Sequence, residues 1–196
     1  MINLIYIDDN VDTMLDAYLD QFGLALLEPG SNYNSITFEP SLSYTDLLKN
    51  KFVQDANIVI IDSRLFENDN ARVKFSGEEI ALLFRKYYPF IETILISQNE
   101  LGESYHYVKK FYNRTSSDYI SYYNNTLASE IRSAQDRITQ SRLFAAKLEN
   151  NNELDQCIKD KLINSINGIL EYDTLNTADI DSIISAFKEF EARING

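Results

Sequence analysis

The chain has one cysteine, Cys157, and one histidine, His106, among its 196 residues. A single thiol excludes an internal disulfide, and its helical surroundings mark it as a structural side chain. The lone imidazole, between Tyr105 and Tyr107, reads as a packing or surface residue rather than a ligand. Basic residues are scarce: 18 Lys and Arg stand against 30 Asp and Glu, a formal charge of −12. Such a deficit argues against non-specific attraction to nucleic acid or an anionic membrane, and favours proteins or cations as partners. No apolar run approaches the length of a bilayer span. The first apolar stretch is only a few residues long and meets two aspartates, so no signal peptide is expected and the chain reads as cytoplasmic. What is present is a 44% hydrophobic composition, enough for one ordinary domain with an appendage.

The most informative stretch is Ala56 to Leu65. Four consecutive branched aliphatics, Ile58 to Ile61, predict a strand buried on both faces, and they run into a carboxylate at Asp62. Leu4 to Ile7 predicts another strand, ending in Asp8 and Asp9. Glu92 to Ser97 predicts a third apolar strand, ending in a hydroxyl. Between them, Val11, Met14, Leu15, Tyr18, Leu19 and Phe22 carry the spacing of an amphipathic helix closed by Pro29 and Gly30. Ser35 to Glu39 reads as a strand and Tyr44 to Phe52 as a helix. Ser76 and Glu79 form a capping-box pattern at the head of the next helix, which Pro89 ends. Glu103 to Asn113 reads as a tyrosine-rich helix and Asp118 to Ser121 as a short fifth strand. This alternation predicts an α/β fold, a parallel doubly wound sheet with helices on both faces.

Parallel sheets of this kind bind ligands at the carboxyl ends of their strands. Asp8, Asp9 and Asp62 should therefore meet at one edge, with Ser97 beside them. Three clustered carboxylates repel unless balanced, and a hard divalent cation such as Mg²⁺ is the usual resolution. A metal-held carboxylate next to a hydroxyl donor suits the acceptance of a phosphoryl group.

In that order, the acid pair Asp8 and Asp9, the acceptor-like Asp62, the strand-end hydroxyl Ser97 and the aromatic Tyr119 resemble the receiver domain of bacterial response regulators, over roughly residues 1 to 145. The resemblance implies a five-stranded sheet of order 2-1-3-4-5. It implies Mg²⁺ held by Asp9, Asp62 and the main-chain carbonyl of Arg64, with Asp8 acting through water. It also implies Asp62 as phosphoacceptor, Ser97 as the phosphoryl contact and Tyr119 as the rotating aromatic. Receivers carry a Lys-Pro pair at the end of the fifth strand; in the register set by Asp118 to Ser121, Tyr122 and Tyr123 stand there, with Tyr122 in place of the lysine. The interval from Asp62 to Gly77 is longer than usual in the family, and residues 66–76 have no assigned role. Lys109 and Lys110 are candidates to replace the absent lysine from the fourth helix, although the preferred reading of them is a solvated face. These departures suggest a degenerate receiver kept as a binding scaffold.

The chain divides on this reading into a receiver-like part, residues 1–125, and a helical part, residues 126–196. The latter comprises an extended fifth helix to about Glu149, a helix carrying Leu154, Ile158, Leu162, Ile166 and Ile169, and a last one with Ile180, Ile183, Ile184, Phe187, Phe190 and Ile194 on one face. Acidic residues outnumber basic ones in this tail, so a DNA-reading helix is not expected. The tail suits packing on the core or on a second copy, giving a homodimer. The expected function is signalling through protein contacts, with a histidine kinase or another signalling protein as partner and no enzymatic activity or catalytic residues of its own. Two alternatives stand beside it: a structural oligomerisation adaptor independent of phosphorylation, and a metal-dependent phosphatase of the haloacid-dehalogenase type. The last requires acids two positions apart after the first strand, where this chain has Asp8 and Asn10.

Overall fold

The computed structural model describes residues 1–39, 44–65, 76–99, 107–112, 118–151 and 154–169. Five strands, β1 (Asn3–Asp8), β2 (Asn32–Thr37), β3 (Ile58–Asp62), β4 (Glu92–Ser97) and β5 (Tyr107–Lys109), form one parallel sheet in the order β2-β1-β3-β4-β5. The helices are α1 (Thr13–Tyr18), α2 (Tyr44–Lys49), α3 (Lys51–Gln54), α4 (Gly77–Tyr87), α5 (Tyr119–Thr126), α6 (Ala128–Glu149) and α7 (Gln156–Ile166). Helix α1 runs on through a π turn, Leu19–Gly23, and a 3₁₀ turn, Leu24–Leu26.

Side chains alternate across each strand, and the two faces of the sheet bury different sets. Ile2, Leu4 and Tyr6 of β1 share one core with Ile58 and Ile60 of β3, Ile94 and Ile96 of β4, and Val108 of β5. Leu15, Tyr18 and Leu19 of the α1 segment, Tyr123 of α5, and Ile131, Ala134 and Ile138 of α6 cover that face. Ile5, Ile7, Val59, Ile61 and Leu95 point the other way, onto Leu47 of α2, Val53 of α3, and Ile80 and Phe84 of α4. Ile58 to Ile61 are fully buried, as expected for a central parallel strand. Full burial of each such side chain contributes about 1.5–3 kcal/mol.

Helix starts follow local chemistry. The Asp12 carboxylate accepts from the amides of Met14 and Leu15 at the head of α1. At the head of α4, Ser76 and Glu79 close a reciprocal capping box, as the sequence predicts. Asn50 caps α3 and divides the expected 44–52 helix into two short pieces. Strand β2 begins earlier than expected, at Asn32, because its register is set by β1 from Asn3↔Asn32 to Asp8↔Thr37.

Two expected elements are corrected. Within the predicted 103–113 helix, Tyr107–Lys109 is strand β5, which pairs with β4 through Leu95↔Tyr107, Ile96↔Val108 and Ser97↔Lys109, and residues 110–112 are not helical. The predicted 118–121 strand is instead the start of α5. Both changes have one cause: the edge of β4 needs a parallel partner, and Val108 fills the hydrophobic position beside Ile96.

Helix α6 is anchored to the amino edge of the sheet. Arg137 Nε donates to Glu92 at 2.8 Å, Arg142 Nη1 to Glu28 at 2.9 Å, and the Glu28 amide to the Gln135 side chain at 2.8 Å. Its first half thus completes the core face over β3 and β4, while its end runs alongside α7. The expected last helix, residues 177–194, lies outside the described residues, as do His106 and most of the 66–76 segment. No described helix is long and apolar enough to cross a membrane.

Candidate functional site

The strand parity that builds the first core also aims its polar ends. Asp8 follows Tyr6, Asp62 follows Ile60, and Lys110 follows Val108 at a spacing of two, so all three side chains lie on the same face, just past the last buried apolar layer. Register Ile7↔Ile61 sets Asp8 beside Asp62 on neighbouring strands. One carboxylate oxygen from each of Asp8, Asp9 and Asp62 lies within 4.8 Å of the others. The carboxyl edge therefore does gather the three acids.

Lys110 stands among them. Its Nζ donates to Asp8 Oδ2 at 2.8 Å and to Asp62 Oδ2 at 3.0 Å. Asp8 is 1% exposed, Asp62 7% and Lys110 6%, so this is a buried ion triad rather than a surface contact. Burial by itself would lower the Lys110 pKa, but Asp62 and Asp8 outweigh it and raise the value, so the ammonium stays charged. Burial pushes the Asp62 carboxyl up to about 6, with Asp8 adding to the rise and Lys110 opposing it.

Tyr122 does not take the place of a lysine. It sits within α5, where its hydroxyl donates to the Lys109 carbonyl at 2.8 Å. Tyr119 is the first residue of α5, half-buried against the first core, and not on a strand. Tyr107, three residues before Lys110, opens β5 and packs on the second core. Lys110, read from the sequence as a solvated residue, is instead buried between Asp8 and Asp62, and Phe111 follows it.

Ser97 closes β4 and is buried. Its Oγ accepts from Ser63 Oγ at 2.9 Å and from the Asn99 amide at 3.2 Å, which leaves its own O–H to give. Ser63, unremarked in the sequence, links the end of β3 to that of β4; its amide donates to the Ile96 carbonyl and its carbonyl accepts from the Gly77 amide. Arg64 follows and bridges to Ser76. Gly77 lies so close that a Cβ there would be 2.9 Å from both the Asp62 carbonyl carbon and the Ser63 Cα.

Two tyrosines were also missed. Tyr6, fully buried, donates its phenol to Asp8 Oδ2, the oxygen that Lys110 also holds. Tyr123, buried below the site, accepts from the Phe111 amide at 3.1 Å and stacks at a tilt on Tyr18. Both phenols are held above their ordinary pKa, chiefly by burial. Nothing in their one-residue context separates them from core tyrosines; only the parity of Tyr6 with Asp8 hints at a contact.

Above these groups opens a cavity of about 410 Å³ lined by Asp8, Asp9, Asp62, Arg64, Gln98 and Lys110, among others. Carboxylate oxygens of Asp8, Asp9 and Asp62 are its clustered donors, with no thiolate or imidazole among the lining residues, and this chemistry fits Mg²⁺ or a similar hard cation.

No family model and no curated protein matches the chain. Among solved structures it is similar to a two-component transcriptional regulator AraC from Clostridium phytofermentans, at 15% identity over 71% of this chain and 97% of that one, with a TM-score of 0.46. It is also similar to the response regulator TrrA of Thermotoga maritima in complex with Mg²⁺ and BeF, at 19% identity over 68% and 99%, TM-score 0.44. The response regulator domain of Thermotoga maritima CheB matches at 15% identity over 69% and 97%, TM-score 0.45. The chain itself has five parallel strands in the order β2-β1-β3-β4-β5, wrapped by helices and followed by the helices α6 and α7, which is the sheet order expected from the sequence.

Proposed function

We propose that the protein is a receiver-type signalling protein in which Asp62 accepts a phosphoryl group. The observation that carries this reading is the buried Lys110 ammonium, 2.8 Å from Asp8 and 3.0 Å from Asp62 at the carboxyl edge of the sheet. An Asp62 oxygen attacks the phosphorus of a donor, the donor's bond to phosphorus breaks with the electron pair leaving on the donor, and an acyl phosphate forms. Lys110 supplies a positive charge that can follow the anion as it grows at Asp62, and the Ser97 O–H is placed to bond one of its oxygens. Asp9, Asp62 and the Arg64 carbonyl would hold Mg²⁺, with Asp8 in support. Bound there, the cation supplies charge neutralisation for the transferred group's oxygens. Tyr107 takes the role of the aromatic that responds to the modified site.

The presence of Lys110 removes the main reason for treating the pocket as degenerate. The haloacid-dehalogenase alternative gains nothing from the geometry, since Asn10 is exposed and uses its amide to cap Asp8. Output passes through protein contacts, a reading supported by the net charge of −12, with α6 and α7 as the helices that transmit it. Helix α7 exposes Ile158 and Leu162, four residues apart, and Leu154 and Ile169 are exposed on either side of it, an apolar surface that also suits the assembly of two copies.

Incubation with Mg²⁺ and a small phosphodonor, followed by intact mass, tests the proposal. Gain of one phosphoryl group by the native chain and none by Asp62→Ala supports it. No gain at saturating donor, with the protein folded, overturns it.

A further inference from the structure

Asp8 is more fully held than a metal-site carboxylate needs to be. Its Oδ1 accepts from the Asn10 amide at 2.9 Å, and its Oδ2 accepts from both Lys110 Nζ and the Tyr6 phenol. Tyr6 is fully buried in the first core, two residues below Asp8 on the same face of β1, so its ring rises along the strand and its hydroxyl meets the carboxylate from beneath. Asp8 itself is 1% exposed, so a donor lost from Oδ2, the oxygen facing Tyr6 and Lys110, is costly.

The donors on Oδ2 differ in kind. Lys110 is shared with Asp62 and sits on a flexible four-carbon stem, whereas the phenol is fixed by a ring packed in the core. If Lys110 turns to an anion formed on Asp62, it must slacken its hold on Asp8, and a buried carboxylate left short of donors opposes that turn. The fixed phenol covers this loss.

We propose that Tyr6 is a positioning residue that holds Asp8 while Lys110 moves its hydrogen bonds to the anion on Asp62, and so makes the ammonium transferable between the two acids. This rests on the phosphoacceptor reading and deepens it. Without the hydroxyl, Asp8 Oδ2 would have Lys110 as its one remaining donor, and the ammonium would be tied to Asp8 rather than released to Asp62.

The test compares the full-length native chain, Tyr6→Phe, Asp8→Asn and the double variant for two affinities, Mg²⁺ alone and the phosphoryl analogue beryllofluoride at saturating Mg²⁺. The expected result is that Tyr6→Phe weakens beryllofluoride binding about tenfold, the size of one hydrogen bond to a charged group, and leaves Mg²⁺ affinity within about twofold. In the Asp8→Asn background the same change should have no such effect. A purely structural role would lower both affinities together, in either background, and would overturn the proposal. Equal beryllofluoride affinity in the native chain and Tyr6→Phe also overturns it, while leaving the phosphoacceptor reading standing. No uptake of beryllofluoride by the native chain overturns both.

The buried Tyr6 hydroxyl proton offers a second measurement that does not depend on a folded variant. Its resonance in the native protein should persist and shift when beryllofluoride is added. Its disappearance, or an unchanged position, would contradict the proposal.

Discussion

The Tyr122 hydroxyl donates to the Lys109 carbonyl at 2.8 Å and so fastens α5 to the last residue of β5, one position before the buried ammonium. The Phe111 amide, one position after it, donates to Tyr123 Oη at 3.1 Å. Lys110 is thus clamped from both sides of the chain by consecutive tyrosines of one helix. Tyr122→Phe should cost at most about 1 kcal/mol, since the hydrogen bond it removes is exposed. Tyr123→Phe should cost more, about 1–3 kcal/mol, because it strands an amide beside a buried ring. Urea unfolding of the two variants checks the order.

Lys110→Ala removes the one ammonium that Asp8 and Asp62 share. Breaking a buried pair by deleting one partner leaves uncompensated charge and costs about 3–5 kcal/mol. The variant should be strongly destabilised near neutral pH, and less so in acid, where Asp62 can take up a proton. Denaturant midpoints at two pH values would show this, and an equal loss at both would contradict it.

Asp62 gives a pH signature of its own. Its folded pKa, about 6, lies above the ordinary carboxylate value of 3.8, so its contribution to stability is fully present below the lower value and is lost as pH rises through the higher. The stability of the native chain relative to Asp62→Asn should therefore fall between about pH 4 and pH 7. Mg²⁺ competes with the same proton, so its affinity should rise with pH up to about 6 and then level. Calorimetric titration at several pH values measures this directly.

Gly77→Ala should destabilise the protein although it removes a glycine from the first turn of α4. The new Cβ would overlap the Asp62 carbonyl and approach the Ser63 Cα, both main-chain atoms that cannot swing aside. Overpacking of this kind costs about 1–3 kcal/mol, against the roughly 1 kcal/mol that alanine gains in helix propensity. The same shift should weaken Mg²⁺ binding, since it displaces the end of β3. Unchanged stability with unchanged Mg²⁺ affinity would show that α4 starts further from the site.

Much of this site was legible in the sequence because its carboxylates follow runs of branched aliphatics that leave little choice of strand. Ile58 to Asp62 and Leu4 to Asp9 could hardly be anything else, and the Ser76–Glu79 box marked the head of α4. β5 was not legible because it is three residues long, lies at the edge of the sheet and takes its identity from pairing with β4. Consecutive lysines ordinarily face solvent. Lys110 is buried here because two carboxylates, distant in sequence, are waiting for it. The available signal was Tyr107 three residues before Lys110, a spacing equal to that of Tyr119 and Tyr122. Tyr119 to Tyr122 imitated the pattern on the first turn of a helix.

The most direct test of the account is the position of the acyl phosphate. The native protein is treated with Mg²⁺ and a small phosphodonor, the acyl phosphate is reduced with borohydride, and the resulting peptides are sequenced. The account predicts homoserine at position 62 and at no other aspartate, in a yield that falls sharply in Lys110→Ala. Trapping at Asp8 or Asp9, or an undiminished yield without Lys110, would contradict it.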